Sequence, residues 1–552
     1  MRIKRIVIFA LLTLASAYCL FLSPIVEIEQ GKLRGIRVSG VNRYYGIQYA
    51  TSDRFHPPKE PRRWSGVYNA VNPVKAPCAQ ITRYTLLQNE QCLYLDVYTP
   101  ENAKPGDKLP VFIFIHGGGF YFGSKLLYNP EFLVTKNIVA VSINYRLGVF
   151  GFLCVNGVAN LGLKDQVAAL RWVKKNIAAF GGDPNHVTLA GQSAGAVSTS
   201  MHMVSEKSAG LFHKAILLSG YSLAPWAFNV DPITSALTDA NLIDEARTEH
   251  DIYRIFAKSS TREVLLATQD VFYNMSFKYS PCLDSNFPDP FFRDAPYEIM
   301  KSGYFNRVPV LMGVTNNEGI MFYGSNNRSS FAEWDSNFVT RLPSVFSWCS
   351  KDDQYRIAKR LRYHYFGYQT IDERSVKTLV RYYNHWLDHG TFDAFAQLLV
   401  QHSGEPVYKY VFSYQGLRNI PKFVFGGAAT RLYGASHSDD LGYLFKPAGL
   451  PIPTSKEDAR FIDRYTTMIA NFIKYSDPTP RRTSLLPVRW PPSTSRHSDI
   501  MHLDRTLKIT RGPYLKDRFY LDILCTYGLK GFVPCESRQQ CFQREYYDRY
   551  PI

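Results

Sequence analysis

The stretch Val187 to Ser198, VTLAGQSAGAVS, decides the fold. A short apolar, β-prone run stops at Ala190. A serine then stands between two glycines, and small residues suited to opening a helix follow. Strand, sharp turn and helix in that order form the G-x-S-x-G nucleophile elbow. Flanking glycines keep the backbone clear where the serine takes up strained dihedrals. The start of the next helix favours negative charge beside the hydroxyl.

Working outward, Val111–Ile115 (VFIFI) and Ile138–Ile143 (IVAVSI) are continuous apolar runs. They predict strands buried on both faces. Asp165 to Phe180 carries helical periodicity through Val167, Leu170, Val173 and Ile177, and Gly181-Gly182 predicts its C-cap. Ala215–Leu218 and Val308–Met312 repeat the buried-strand signal. Strands alternating with helices predict an α/β fold with a large, mainly parallel sheet covered on both sides. Residues 231–280 and 329–399 are rich in helix formers and aromatics and are expected to be helical insertions. No proline- or serine-rich linker divides the chain.

A serine nucleophile needs a base and an oxyanion site. His116-Gly117-Gly118-Gly119-Phe120 directly follows the VFIFI strand, and its glycines leave backbone N–H groups open to a ligand. Gly118 and Gly119, with Ala194 after the nucleophile, are the expected oxyanion donors. Chain order in this architecture is serine, acid, histidine. Of the ten histidines after Ser193, His437 in YGASHSDDLGYLF best suits a loop returning over the sheet edge. Glu318, just past the Val308–Met312 strand, is the candidate acid, and spacing alone does not choose it over Asp439 or Asp440.

These landmarks, with Tyr45–Ala50, Arg54-Phe55, Glu90–Leu95, NYRLGVFGF and GLFHKAILLSG, resemble the type-B carboxylesterase family. This is the cholinesterase and carboxylesterase group of α/β-hydrolases, and the resemblance runs from about Ile28 to Asp522. It implies a serine carboxylic ester hydrolase acting through an acyl-enzyme on small-molecule esters, with no metal or cofactor. It implies Ser193, Glu318 and His437 as the triad and Gly118, Gly119 and Ala194 as the oxyanion set. It further implies a Cys78–Cys92 disulfide, ion pairs Arg54–Glu90 and Arg146–Asp183, and Ser219 as a support near the histidine. Two departures bear on the substrate. Gln192 stands where the family usually has glutamate, as in the GQSAG of insect juvenile hormone esterases. The Cys78–Cys92 loop has no tryptophan with which to hold a cationic substrate by cation–π attraction. Both disfavour choline esters and favour a hydrophobic ester, a juvenile hormone methyl ester or the substrates of a broad-specificity carboxylesterase. A catalytically silent adhesion or binding protein of the same fold is the alternative.

The N-terminus, with Arg2, Lys4 and Arg5 before an apolar run and Ala15-Ser16-Ala17, predicts a signal peptide over residues 1–17. An uncleaved membrane anchor is the alternative. Residues 18–530 form the expected hydrolase domain and 531–552 a tail. Export makes the sequons at Asn274 and Asn327 glycosylation candidates and permits disulfides. Cys535 and Cys541 are a candidate pair, while Cys154, Cys282, Cys349 and Cys525 show no obvious partner. The net charge of +17 is spread along the chain rather than in a stripe or module, which argues against nucleic acid. Oligomeric state has no signal in the sequence.

Overall fold

The computed structural model describes residues 21–541 apart from 76, 82–87, 270–276 and 448–451. The predicted signal peptide and the Asn274 sequon lie outside the described residues.

The strands are β1 (Phe21–Ile28), β2 (Gly31–Val38), β3 (Val41–Gln48), β4 (Val67–Asn69), β5 (Tyr94–Pro100), β6 (Leu109–Ile115), β7 (Val139–Ile143), β8 (Gly182–Gln192), β9 (Lys214–Leu218), β10 (Val310–Thr315), β11 (Val407–Phe412), β12 (Asp499–Leu503) and β13 (Leu507–Arg511). Among the described residues they form one sheet, ordered β1-β2-β3-β5-β7-β6-β8-β9-β10-β11-β12-β13, with β4 beside β2. Pairing is parallel from β7 through β12 and antiparallel at both flanks, apart from the short β4, which runs parallel to β2. This is the α/β-hydrolase architecture expected from the sequence.

The VFIFI run shows why its strand carries no polar residue. Val111, Ile113 and Ile115 face one core, while Phe112 and Phe114 face the other. Helices α1 (Leu161–Asn176) and α2 (Ala194–Met203) cover the first face through Leu163, Val167, Leu170, Val197 and Met201. Helix α4 (Lys456–Tyr475) covers the second through Phe461, Tyr465, Met468 and Phe472. A strand buried on both sides favours apolar residues at successive positions, so alternation disappears.

Helix α1 begins at Leu161, a turn before the predicted start, and a 3₁₀ turn carries it to Phe180. Gly181 takes φ +85° and caps it, whereas Gly182 already begins β8. The two insertions are helical as predicted. The first holds helices Pro232–Ala240, Glu249–Lys258 and Thr261–Ala267. The second holds Arg328–Ser336, Lys351–Phe366, Val376–Asn384 and α3 (Gly390–His402). A π-helical turn, His385–His389, runs directly into α3.

Cys78 bonds to Cys92, as the resemblance implies. The suggested Cys535–Cys541 pair is replaced by Cys525–Cys535 and Cys349–Cys541, and Cys154 joins Cys282. The last closes a sequence separation of 128 residues, a proximity that no local pattern encodes. Phe532 and Val533 at the start of the C-terminal tail pack in the core beside these bridges.

Arg54 and Glu90 form a two-pronged ion pair, with Nε to Oε2 at 2.9 Å and Nη2 to Oε1. Arg146 does not pair with Asp183. Its guanidinium donates to both oxygens of Asp165, at 2.8 and 2.6 Å, and its backbone N–H to Oδ2 at 3.1 Å. Asp165 lies in the second turn of α1. The remaining eleven residues of that helix carry the chain about 16 Å further on before Asp183, which instead accepts from Asn185 N–H.

Candidate active site

The sheet register gathers the site. Ile115 pairs with Gly191, Gln192 with Leu218, and Leu218 with Gly313. The carboxyl ends of β6, β8, β9 and β10 therefore lie side by side. The residues that follow them, the HGGG loop, Ser193, Ser219 and the Glu318 loop, meet above one edge. Crevices outside the carboxyl ends of strands are where open α/β sheets bind ligands.

Ser193 has φ +56° and ψ −127° and caps α2. Its N–H donates to Leu218 O at 2.8 Å, pinning the turn to β9. Steric contact dictates both glycines of the motif. A β-carbon at residue 191 would lie 2.1 Å from Gly195 O, and one at 195 would lie 2.0 Å from Ile115 O. Such a conformation costs free energy and persists only where the surroundings enforce it.

Gly118 and Gly119 take φ +111° and +59°. A β-carbon at Gly118 would strike Phe122 O at 1.9 Å, and one at Gly119 would strike the Phe277 ring at 2.5 Å. Among the described residues, no acceptor takes the N–H of Gly118, Gly119 or Ala194. Phe277 belongs to an aromatic wall with Trp226 (5.2 Å between centroids) and Trp386 (5.9 Å), and Trp226 continues to Phe120 (6.3 Å). The donors thus border an apolar surface. Gln80 braces the loop: its amide reaches Cys78 O and Gly123 O, and its oxygen takes Gly123 N–H. The Cys78–Cys92 bridge is thereby tied to the glycine loop.

Glu318 is fully buried and both of its carboxylate oxygens accept hydrogen bonds. Oε1 accepts from Ser219 Oγ at 2.7 Å and Thr315 N–H at 2.6 Å, and Oε2 accepts from His437 Nδ1 at 2.6 Å. Burial alone would raise its pKa. The imidazole's charge and hydrogen bond, helped by His389 and Ser219, outweigh this and leave the carboxyl below its ordinary range. For His437, burial works to lower the pKa, but Glu318 prevails, with Asp388 and Asp440 adding to it, so the net shift is upward.

Geometry separates the acids that spacing left open. Asp439 shapes the histidine loop, accepting from Ser436 N–H, Asn419 Nδ2 and Lys422 N–H. Asp440 is buried with Oδ1 unpaired, and burial together with Glu318's charge pushes it up to about 7, against the pull of His437. Of these three acids, Glu318 is the one that hydrogen-bonds the imidazole.

Two further neighbours of His437 lie outside the triad expected from the sequence. Asp388, in the π-helical turn, is buried with neither oxygen hydrogen-bonded, and lies with Glu318 and His437 such that one atom of each falls within 4.8 Å of the others. It sits in a stretch read only as helical insertion. The three could ligate a metal by distance, but both Glu318 oxygens and His437 Nδ1 are already bound to partners within the protein, an arrangement that fits a proton relay. The second neighbour is Gln192. Its Nε2 lies 3.1 Å from His437 Nε2 and 2.8 Å from Ser438 Oγ, and no hydrogen bond joins Ser193 Oγ to His437.

The family model described as the carboxylesterase family matches residues 22–519. The chain belongs to this family. Esterase FE4 of Myzus persicae is 31% identical to this carboxylesterase over 521 residues, covering 89% of this chain and 90% of that one. Juvenile hormone esterase of Tribolium castaneum is 32% identical over 504 residues, covering 83% and 84%. The crystal structure of juvenile hormone esterase from Manduca sexta, with OTFP covalently attached, superposes with a TM-score of 0.80 at 26% identity, covering 91% of this chain and 98% of that one. This carboxylesterase is accordingly a carboxylic ester hydrolase acting on small-molecule esters. No described helix is long and apolar enough to cross a membrane.

Proposed function

We propose that this carboxylesterase cleaves hydrophobic esters through an acyl-enzyme on Ser193. Ser193 Oγ attacks the ester carbonyl carbon while its proton passes to His437 Nε2. Glu318 holds the ring with its proton on Nδ1 and stabilises the imidazolium that forms. The carbonyl oxygen becomes an oxyanion bound by the N–H groups of Gly118, Gly119 and Ala194. His437 then gives its proton to the alcohol oxygen as the C–O bond breaks. Water repeats the sequence and frees the acid. The observation that carries this reading is the 2.6 Å contact from Glu318 to His437 Nδ1 above the same strand ends that hold the strained serine and three unfilled backbone donors.

The aromatic wall beside Gly119 and the neutral Gln192 support an uncharged, apolar substrate. The relatives from Tribolium and Manduca bear the name juvenile hormone esterase, so a juvenile hormone methyl ester is the substrate to test first, against naphthyl and nitrophenyl esters. We further propose that the chain is exported after cleavage near Ala17 and carries glycan at Asn327, an exposed helix cap. A fluorophosphonate should label Ser193 and no other residue, and S193A should neither be labelled nor turn over any ester. A folded protein with no label on Ser193 would favour a silent binding role. Higher kcat/KM for naphthyl or nitrophenyl esters than for juvenile hormone would favour a broad-specificity enzyme.

A further inference from the structure

We propose that Gln192 is a positioning residue whose amide favours the neutral, basic form of His437 against the carboxyl groups around it. The proposal rests on the reading of His437 as the base. Glu318, from the loop after β10, faces Nδ1. Asp388 approaches from the π-helical turn and Asp440 from the histidine's own loop, and both favour the charged imidazole. Asp439 belongs to the same loop but is engaged by Asn419, Ser436 and Lys422. His389, held by Thr315 O, faces Glu318. Phe322 lies 6.1 Å from the imidazole and offers no charge. Glu318, Asp388 and Asp440 thus favour the imidazolium, although burial opposes it and also holds Asp388 well above its ordinary carboxylate range and Asp440 up at about 7; a charged ring cannot take a proton from Ser193.

The hydrogen bonds fit an amide whose nitrogen faces the ring. His437 Nδ1 must carry a proton to donate to Glu318, so the neutral ring presents a lone pair at Nε2. Gln192 Nε2 lies 3.1 Å from that lone pair and donates a second proton to Ser438 Oγ at 2.8 Å. The amide oxygen rests against Gly117, where a β-carbon would come within 2.7 Å of it. A donor at Nε2 stabilises the neutral ring and opposes the charged one. A glutamate, the family's usual residue here, would do the reverse: its carboxylate would accept from an Nε2 proton and raise the pH at which the ring becomes free to act as base. On substrate arrival Nε2 exchanges this amide for the hydroxyl of the adjacent residue, Ser193.

The test is the pH profile of kcat/KM on a nitrophenyl ester for the parent, Q192E, Q192M and H437A. Fluorophosphonate titration counts working sites in the parent and both Gln192 variants, and thermal melts check folding in all four. Q192E should move the acid limb up by about 1–3 pH units, the range expected for a carboxylate in contact with an imidazole. One unit below the parent midpoint its kcat/KM should fall roughly tenfold or more, with recovery at higher pH. Q192M, which loses the donor without adding charge, should shift the limb less. If H437A is folded and inactive while the Q192E and parent limbs superimpose, the role given to Gln192 is wrong. If folded H437A stays active, the assignment of His437 as base is what fails.

Discussion

Replacing Glu318 by glutamine tests the relay at its most constrained point. The side chain keeps its size, and the structure fixes how the amide must lie. With its oxygen in the Oε1 position it still accepts from Ser219 Oγ and Thr315 N–H, as the carboxylate does at 2.7 and 2.6 Å. Its NH₂ then faces His437 Nδ1. The flipped amide would set NH₂ against the Thr315 N–H and leave that buried donor unsatisfied, a cost of about 1–3 kcal/mol. The first orientation therefore wins. It obliges Nδ1 to accept, so the ring's proton moves to Nε2, where the base needs its lone pair. The serine then faces a donor. Tautomer inversion of this kind in a triad lowers kcat about 10⁴-fold, or roughly 5.4 kcal/mol of barrier. Steady-state turnover of a nitrophenyl ester, normalised to folded protein by circular dichroism, reads this directly. D440N should lose less than about tenfold, because Asp440 makes no hydrogen bond to the imidazole. An E318Q variant within about tenfold of the parent, or a D440N variant as damaged as E318Q, would refute the assignment of the orienting acid.

Activity should rise with pH through one acid limb. With His437 as the proposed base, its neutral form is the working one and its pKa is raised, so the midpoint should lie above the ordinary imidazole value of about 6.5; a limb below it would contradict the Glu318 pairing. The corrected ion pair predicts that D165N costs about 3–5 kcal/mol, by stranding a buried guanidinium, whereas D183N costs about 1 or less; denaturant unfolding of both variants distinguishes the pairings. Removing the Cys154–Cys282 bridge with paired serines should cost up to about 5 kcal/mol by loop entropy over 128 residues, read as a lowered melting temperature with the active-site titre unchanged below it.

What the sequence made legible is what local stereochemistry dictates. The elbow could be read because its glycines answer to contacts within a few residues and one neighbouring strand: Gly191 to Gly195 O, Gly195 to Ile115 O. VFIFI could be read because two-sided burial erases alternation. Pairings across the chain had no such signature. Arg146 meets Asp165 rather than Asp183 because of where α1 starts and how far it runs, and Cys154 joins Cys282 across the whole of the first insertion. Asp388 shows this most clearly. One carboxylate among helix formers carries no mark of what it will face. Yet a π-helical turn aims it, without a hydrogen bond of its own, at a histidine 49 positions downstream. That placement gives the residue before the nucleophile its meaning. In the linear chain Gln192 is a lost charge. In the folded one its amide nitrogen faces an imidazole beside Glu318, Asp388 and Asp440, where a neutral donor favours the uncharged ring.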